Sequence, residues 1–195
     1  MPAASPGLDL TARTRTVMSR WVAATACGFL LGYVLSRATL NFGLSALTPF
    51  GAAPRWGLTG LATAALQIRV LGPLLPRGAT WLVASTVGFL LASLPAEIPS
   101  PDPNSFLFTW AIGGALIGTS QWLVLRRLPR PPRWWPLATL VGFGLGGLIY
   151  RRGFELFPEN LDYPHYQLAR AILWTGAGII VACATGVALW RGSRA

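Results

Sequence analysis

The chain has 195 residues, of which 53% are hydrophobic and only 11% charged, with nine Trp and 22 Gly and a mean hydropathy of +0.51. That balance excludes an ordinary soluble domain and points to a membrane protein. The formal net charge of +10 comes from sixteen basic residues, all arginine, and their distribution argues against nucleic-acid recognition, because they flank apolar runs and do not gather on one soluble face.

In chain order, residues 1–16 read as a flexible basic leader and 17–195 as one six-helix transmembrane domain. Apolar runs cover about 21–36, 56–75, 80–94, 106–125, 135–150 and 171–190. Each approaches the roughly 20 residues needed to cross a bilayer core. Arg13, Arg15 and Arg20 before the first run resemble the start of a signal peptide. No small-residue cleavage site stands out beyond Gly32, however, so the run reads as a retained helix.

Six of the nine tryptophans fall on a grid. Trp21, Trp81 and Trp135 each precede a Gly-Phe pair by seven residues (Gly28-Phe29, Gly88-Phe89, Gly142-Phe143), and Trp56, Trp110 and Trp174 each precede a glycine by four (Gly60, Gly114, Gly178). The two sets alternate, which is an internal repeat of a helical pair over about 17–75, 76–129 and 130–191. The expected architecture is therefore an all-α membrane protein of six helices. They form three hairpins of the same orientation around a pseudo-threefold axis normal to the membrane. Trp21, Trp56, Trp81, Trp110, Trp135 and Trp174 are expected to form membrane-interface belts. Small residues at packing spacing, Gly28 with Gly32, Gly60 with Ala64, Gly114 with Gly118, and Gly142 with Gly146, are expected to bring helix backbones close.

Eleven arginines fall at the N-terminus, in the two short connectors or after the last run; Arg37, Arg55, Arg151, Arg152 and Arg170 lie on the other side with five of the six acids. By the positive-inside rule both termini are cytoplasmic, and the location is the cytoplasmic membrane of a bacterium. Arg69, at the inner end of the second run, is expected to snorkel to headgroups.

No Asp, Glu, Lys or His lies within the apolar runs, which argues against ion-driven transport through a relay. A weakly polar layer remains: Gln67, Gln121 and Thr185 at one grid position, Thr25, Ser85 and Thr139 at another. These side chains are expected to hydrogen-bond between helices; alternatively they line a cavity, with Gln67 and Gln121 as contacts for a pigment, lipid or solute. Lipid is the expected bound cofactor, with pigment as the alternative.

Cys27 and Cys183 read as small packing residues, close enough to meet if the first and last helices are neighbours. Among the outer loops, Pro95, Pro99, Pro101 and Pro103 stiffen the second, and 151–170 is polar and aromatic, with the sole histidine, His165, beside Asp162 and Tyr166. That loop is a candidate docking surface. A metal site is not expected, since no second His or Cys joins His165. No nucleophile set or phosphate loop appears, so no catalytic residue is assigned and an enzyme is not expected.

The stretch GGALIGTSQWLVLRRLPRPPRWWPLATLVGFGLGG, residues 113–147, resembles a repeat of uncharacterised multi-pass membrane proteins of bacteria, including phototrophic ones. The resemblance extends over about residues 20–191. The last helix departs from it, with Thr185 where the pattern has glutamine. It implies fold and location but no activity. The expected function is a non-catalytic accessory subunit of a larger photosynthetic or respiratory membrane complex, in contact with lipids and other subunits. Two alternatives stand beside it: a six-helix substrate-binding or transport component for a small hydrophobic solute, and a pigment- or lipid-binding protein.

Overall fold

The computed structural model describes residues 6–41, 53–73, 75, 77–96, 105–157 and 161–194. The outer-loop prolines Pro99, Pro101 and Pro103 lie outside the described residues. Six helices follow one another: α1 Pro6–Asn41, α2 Ala53–Leu71, α3 Gly78–Ala96, α4 Ser105–Leu125, α5 Trp135–Glu155 and α6 Tyr163–Arg194. Helix α1 starts inside the segment expected to be a flexible leader. Pro6 stands at its first position, where proline lacks only an N–H that has no partner within the helix.

Each helix packs on its chain neighbours, and α1 packs on α6, which closes the six into a ring. Helices α1, α3, α4 and α6 are long and apolar enough to cross a membrane. Helices α2 and α5 have 19 and 21 residues, about 28 and 32 Å of rise, but carry Arg55 and Arg69, and Arg151 and Arg152.

The grid of the sequence becomes three aromatic layers inside the ring. Nearest the chain termini, Trp135 meets Trp21 and Trp81 edge-on, with ring centroids 5.7 and 5.9 Å away. In the middle, Phe29, Phe89 and Phe143 touch pairwise at 5.8–6.0 Å. At the far end, Trp56, Trp110 and Trp174 do the same at 5.4–6.1 Å. Such centroid separations are van der Waals contact for aromatic rings, so the axis is filled.

Glycines make this possible. On the even helices Gly60, Gly114 and Gly178 lie flat against Phe89, Phe143 and Phe29 of the next odd helix, α1 following α6. Within the first and last hairpins, Gly28 and Gly32 sit on the backbone at Thr63 and Thr59, Gly142 on Val181 and Gly146 on Ala177. Gly118 meets Pro136 and Thr139. A side chain at these points would enter a neighbouring helix, and in lipid it is close backbone approach that supplies packing energy.

Two expectations are corrected. The six grid tryptophans do not form outward interface belts: Trp21, Trp81 and Trp135 are at most 1% exposed, Trp56 and Trp110 are buried, and Trp174 is partly buried against them. Gly147 and Gly186 make room for the Trp110 and Trp21 rings, and three of the indole N–H groups find acceptors inside the bundle, which favours the interior over the headgroups. Cys27 and Cys183 are not packing residues. Although α1 and α6 are neighbours, both thiols are exposed on the outer faces of their helices.

Candidate functional site

Two polar zones interrupt the apolar interior, one on each side of the phenylalanine layer. The first is the predicted Gln/Thr layer. Trp81 Nε1 donates to Gln67 Oε1 at 3.2 Å, and Gln67 Nε2 donates to Thr25 Oγ1 at 3.0 Å. Trp135 Nε1 donates to Gln121 Oε1 at 3.0 Å, and Gln121 Nε2 donates to Ser85 Oγ at 3.0 Å. In the remaining position Trp21 Nε1 donates to Thr185 Oγ1 at 3.1 Å. Thr185 is too short to continue the chain: its hydroxyl turns back to Val181 O at 2.7 Å, and Thr139 turns back to Trp135 O at 2.8 Å.

This layer corrects the reading of Gln67 and Gln121 as pigment, lipid or solute contacts. Each amide uses both ends on protein partners and is buried. The space they line is only about 10 Å³, room for no more than a single water beside the Thr63 hydroxyl, which has no partner among the described residues.

The second zone lies at the end of the bundle remote from the termini and was not singled out from sequence. It is a cavity of about 220 Å³ whose floor is the Trp56, Trp110 and Trp174 layer. Arg37 from the end of α1, Arg55 from the start of α2 and Arg170 from the first turns of α6 reach its wall, with Tyr33 and Tyr150.

Neutral partners orient the arginines. Arg37 Nη2 donates to Tyr163 Oη at 2.6 Å, and Arg170 Nε donates to Tyr150 Oη at 3.3 Å while its guanidinium lies 5.6 Å from the centre of the Tyr166 ring. Tyr33 Oη donates to Gln167 Oε1 at 2.6 Å, tying α1 to α6 beside them. Arg55 Nε and Trp174 Nε1 are buried and have no hydrogen-bond partner among the described residues.

No carboxylate lines the cavity among the described residues. The two described acids at this end are engaged elsewhere: Glu155 pairs with Arg152 at 2.8 Å, and Asp162 sits against His165. The Asp162 carboxyl accepts the backbone N–H of His165, which caps the first turn of α6 and holds it below the usual carboxylate range. His165 is thus occupied with the helix cap. Among the described residues no group of His, Cys, Asp and Glu is arranged to hold a metal.

Sequence reasoning missed this cavity because its arginines come from the first and third repeats and were read only as minority outer charges. A signal did exist. Arg55 directly precedes Trp56, and Arg170 precedes Trp174 by one helical turn, so two of these charges were tied to grid positions. Comparison with protein-family models, curated proteins and solved structures finds no match to this chain.

Proposed function

We propose that the protein is a non-catalytic binding module of the bacterial cytoplasmic membrane. Six spans stand around a pseudo-threefold axis normal to the bilayer, both termini are cytoplasmic, and a ligand cavity opens at the outer face. One observation carries the reading: a cavity of about 220 Å³ is lined by three arginines, and no described carboxylate faces it. Partly buried charge without a compensating acid among the described residues is costly unless something else neutralises it. The filled axis below the cavity favours binding over passage, because three aromatic layers stand between the cavity and the other end. The excess of arginine at the terminus end supports the orientation.

The test is intrinsic fluorescence and melting temperature of the purified full chain against a panel of anionic, neutral and cationic solutes and lipids. A saturable change that disappears in Trp56→Phe is expected. No response to any member of the panel refutes the reading. Orientation is tested with Leu156→Cys, 85% exposed at the cavity end, in a Cys27→Ala/Cys183→Ala background. An impermeant maleimide added to intact cells should label it, and protection from outside would invert the topology.

A second reading, an accessory subunit of a larger photosynthetic or respiratory complex, is favoured by an apolar groove of about 690 Å³ between α4 and α5. Gly144 forms its base and Phe108 and Leu148 its sides, on the lipid-facing surface. Gentle extraction followed by native mass spectrometry and an absorption spectrum decides it. Recovery in a coloured or haem-containing assembly supports the subunit reading, and recovery as a lone 20.9 kDa chain refutes it.

A further inference from the structure

Resting on the reading of the outer cavity as a binding site, we infer that its ligand is a phosphate group on a small polar head. The chemistry of the wall selects the charge. Three guanidinium groups, each a planar fork of N–H donors, line the cavity from three helices, and among the described residues Arg37 and Arg170 donate to neutral tyrosine hydroxyls.

A carboxylate offers two oxygens and is satisfied by one or two such forks. A phosphate monoester offers three terminal oxygens and a phosphodiester two, in either case tetrahedrally disposed about phosphorus, which suits donors arriving from several directions. Arg55 Nε and Trp174 Nε1 are further buried donors without an acceptor among the described residues, and both residues line the space.

Volume sets the size. At about 30 Å³ per water, 220 Å³ holds the equivalent of about seven waters, enough for a phosphate with a glycerol-sized substituent but not for an acyl chain. The phosphate group has two sources: a free monoester on the outer side, or the phosphodiester head of a phospholipid whose chains remain in the bilayer.

Both sources are tested on the full chain in neutral detergent or in phosphatidylcholine nanodiscs. Probes are sodium phosphate, glycerol 3-phosphate, and nanodiscs carrying phosphatidylglycerol; glycerol, acetate and choline are the controls. The readout is the fluorescence of the tryptophan floor together with the melting temperature.

Saturable binding of the free phosphates supports the inference with a soluble source. A response to phosphatidylglycerol alone supports it with a lipid source. In either case Arg55→Gln and Arg170→Gln should each weaken binding by about ten- to a hundredfold. Arg152→Gln, outside the cavity, should leave binding unchanged, and far-UV circular dichroism of each variant checks that it folds.

A response to glycerol, choline or acetate without one to the phosphates overturns the inference while leaving the binding reading intact. No response to any probe removes both. Undiminished phosphate binding in the folded double variant Arg55→Gln/Arg170→Gln also overturns it, since the phosphate would then sit elsewhere.

Discussion

Replacing Gly114 by alanine tests the packing of the core most directly. An added Cβ would lie 2.6 Å from Phe143 Cβ and 2.7 Å from the Thr139 carbonyl oxygen, where carbon atoms prefer about 3.5–4.0 Å. Roughly 1 Å must therefore open between α4 and α5. Phe143 cannot retreat freely, because its ring already touches Phe29 and Phe89 across the axis, and the carbonyl belongs to a helix backbone. Overpacking of this kind costs about 1–3 kcal/mol, and contact with backbone places Gly114→Ala toward the upper end.

Gly60→Ala and Gly178→Ala meet the side chains of Phe89 and Phe29, both from 2.7 Å outward, and should cost less than Gly114→Ala. Because the three phenylalanines form one cluster, the triple variant should deviate from additivity. Gly176→Ala is the control: a Cβ there finds nothing within 4 Å. Membrane helices persist after they separate, so the usual gain in helix propensity largely cancels, and this variant should stay within about 0.5 kcal/mol of the parent. The assay is reversible unfolding by dodecyl sulfate in mixed micelles, followed by tryptophan fluorescence. If Gly114→Ala lies within that margin, or Gly176→Ala loses as much as Gly114→Ala, the socket argument is wrong.

The same titration addresses the Gln layer. Gln67→Leu leaves the buried Trp81 N–H without its acceptor and should cost about 1–3 kcal/mol, whereas wild-type stability would show that the amide is dispensable. At the surface, the depressed Asp162 carboxyl ties the start of α6 to pH. A lowered folded value means that the capping contribution is present above the unfolded value of about 3.9 and is lost as pH falls through the folded one. Amide exchange in the first turn of α6 should therefore accelerate below that range in the wild type. It should be fast at every pH in Asp162→Ala, and in Asp162→Asn, which keeps a capping oxygen, it should not follow the carboxyl titration. Identical protection in wild type and Asp162→Ala at neutral pH would rule out the cap.

How the helices pack was largely legible in the sequence, and which way the tryptophans face was legible only in hindsight. Trp21, Thr25, Gly28, Phe29 and Gly32 recur at helical spacing, as do Trp56, Gly60, Thr63 and Gln67. Each set therefore lies on one helix face, and the packing glycines on that face mark it as inward. Reading Trp by its frequency at membrane interfaces overrode this local evidence. That the Gln67 and Gln121 side chains would bond between helices was legible from their shared grid position, but the identity of their donors, Trp81 and Trp135 of the following helix, was not. The protein hydrogen bonds of both amides, and the space of only about 10 Å³ beside them, speak against the ligand role their polarity implied.

The repeat departs from itself most where the outer cavity lies. The position four residues before the even-helix tryptophan is Phe106 in the second copy and Arg170 in the third; the position fifteen after the odd-helix tryptophan is Ser36 in the first and Tyr150 in the third. All four residues line the outer cavity. Below them the copies agree closely, with glycine sockets for all three phenylalanines and Trp-to-oxygen hydrogen bonds in all three repeats. Packing alone requires the copies to be alike, since each must fit the next around the ring. It gives no reason to place a charge in one copy where another has a ring. A single ligand of the kind proposed above would, because without threefold symmetry of its own it would call for different groups from each helical pair. The shared positions thus account for the bundle, and the differing ones account for the cavity.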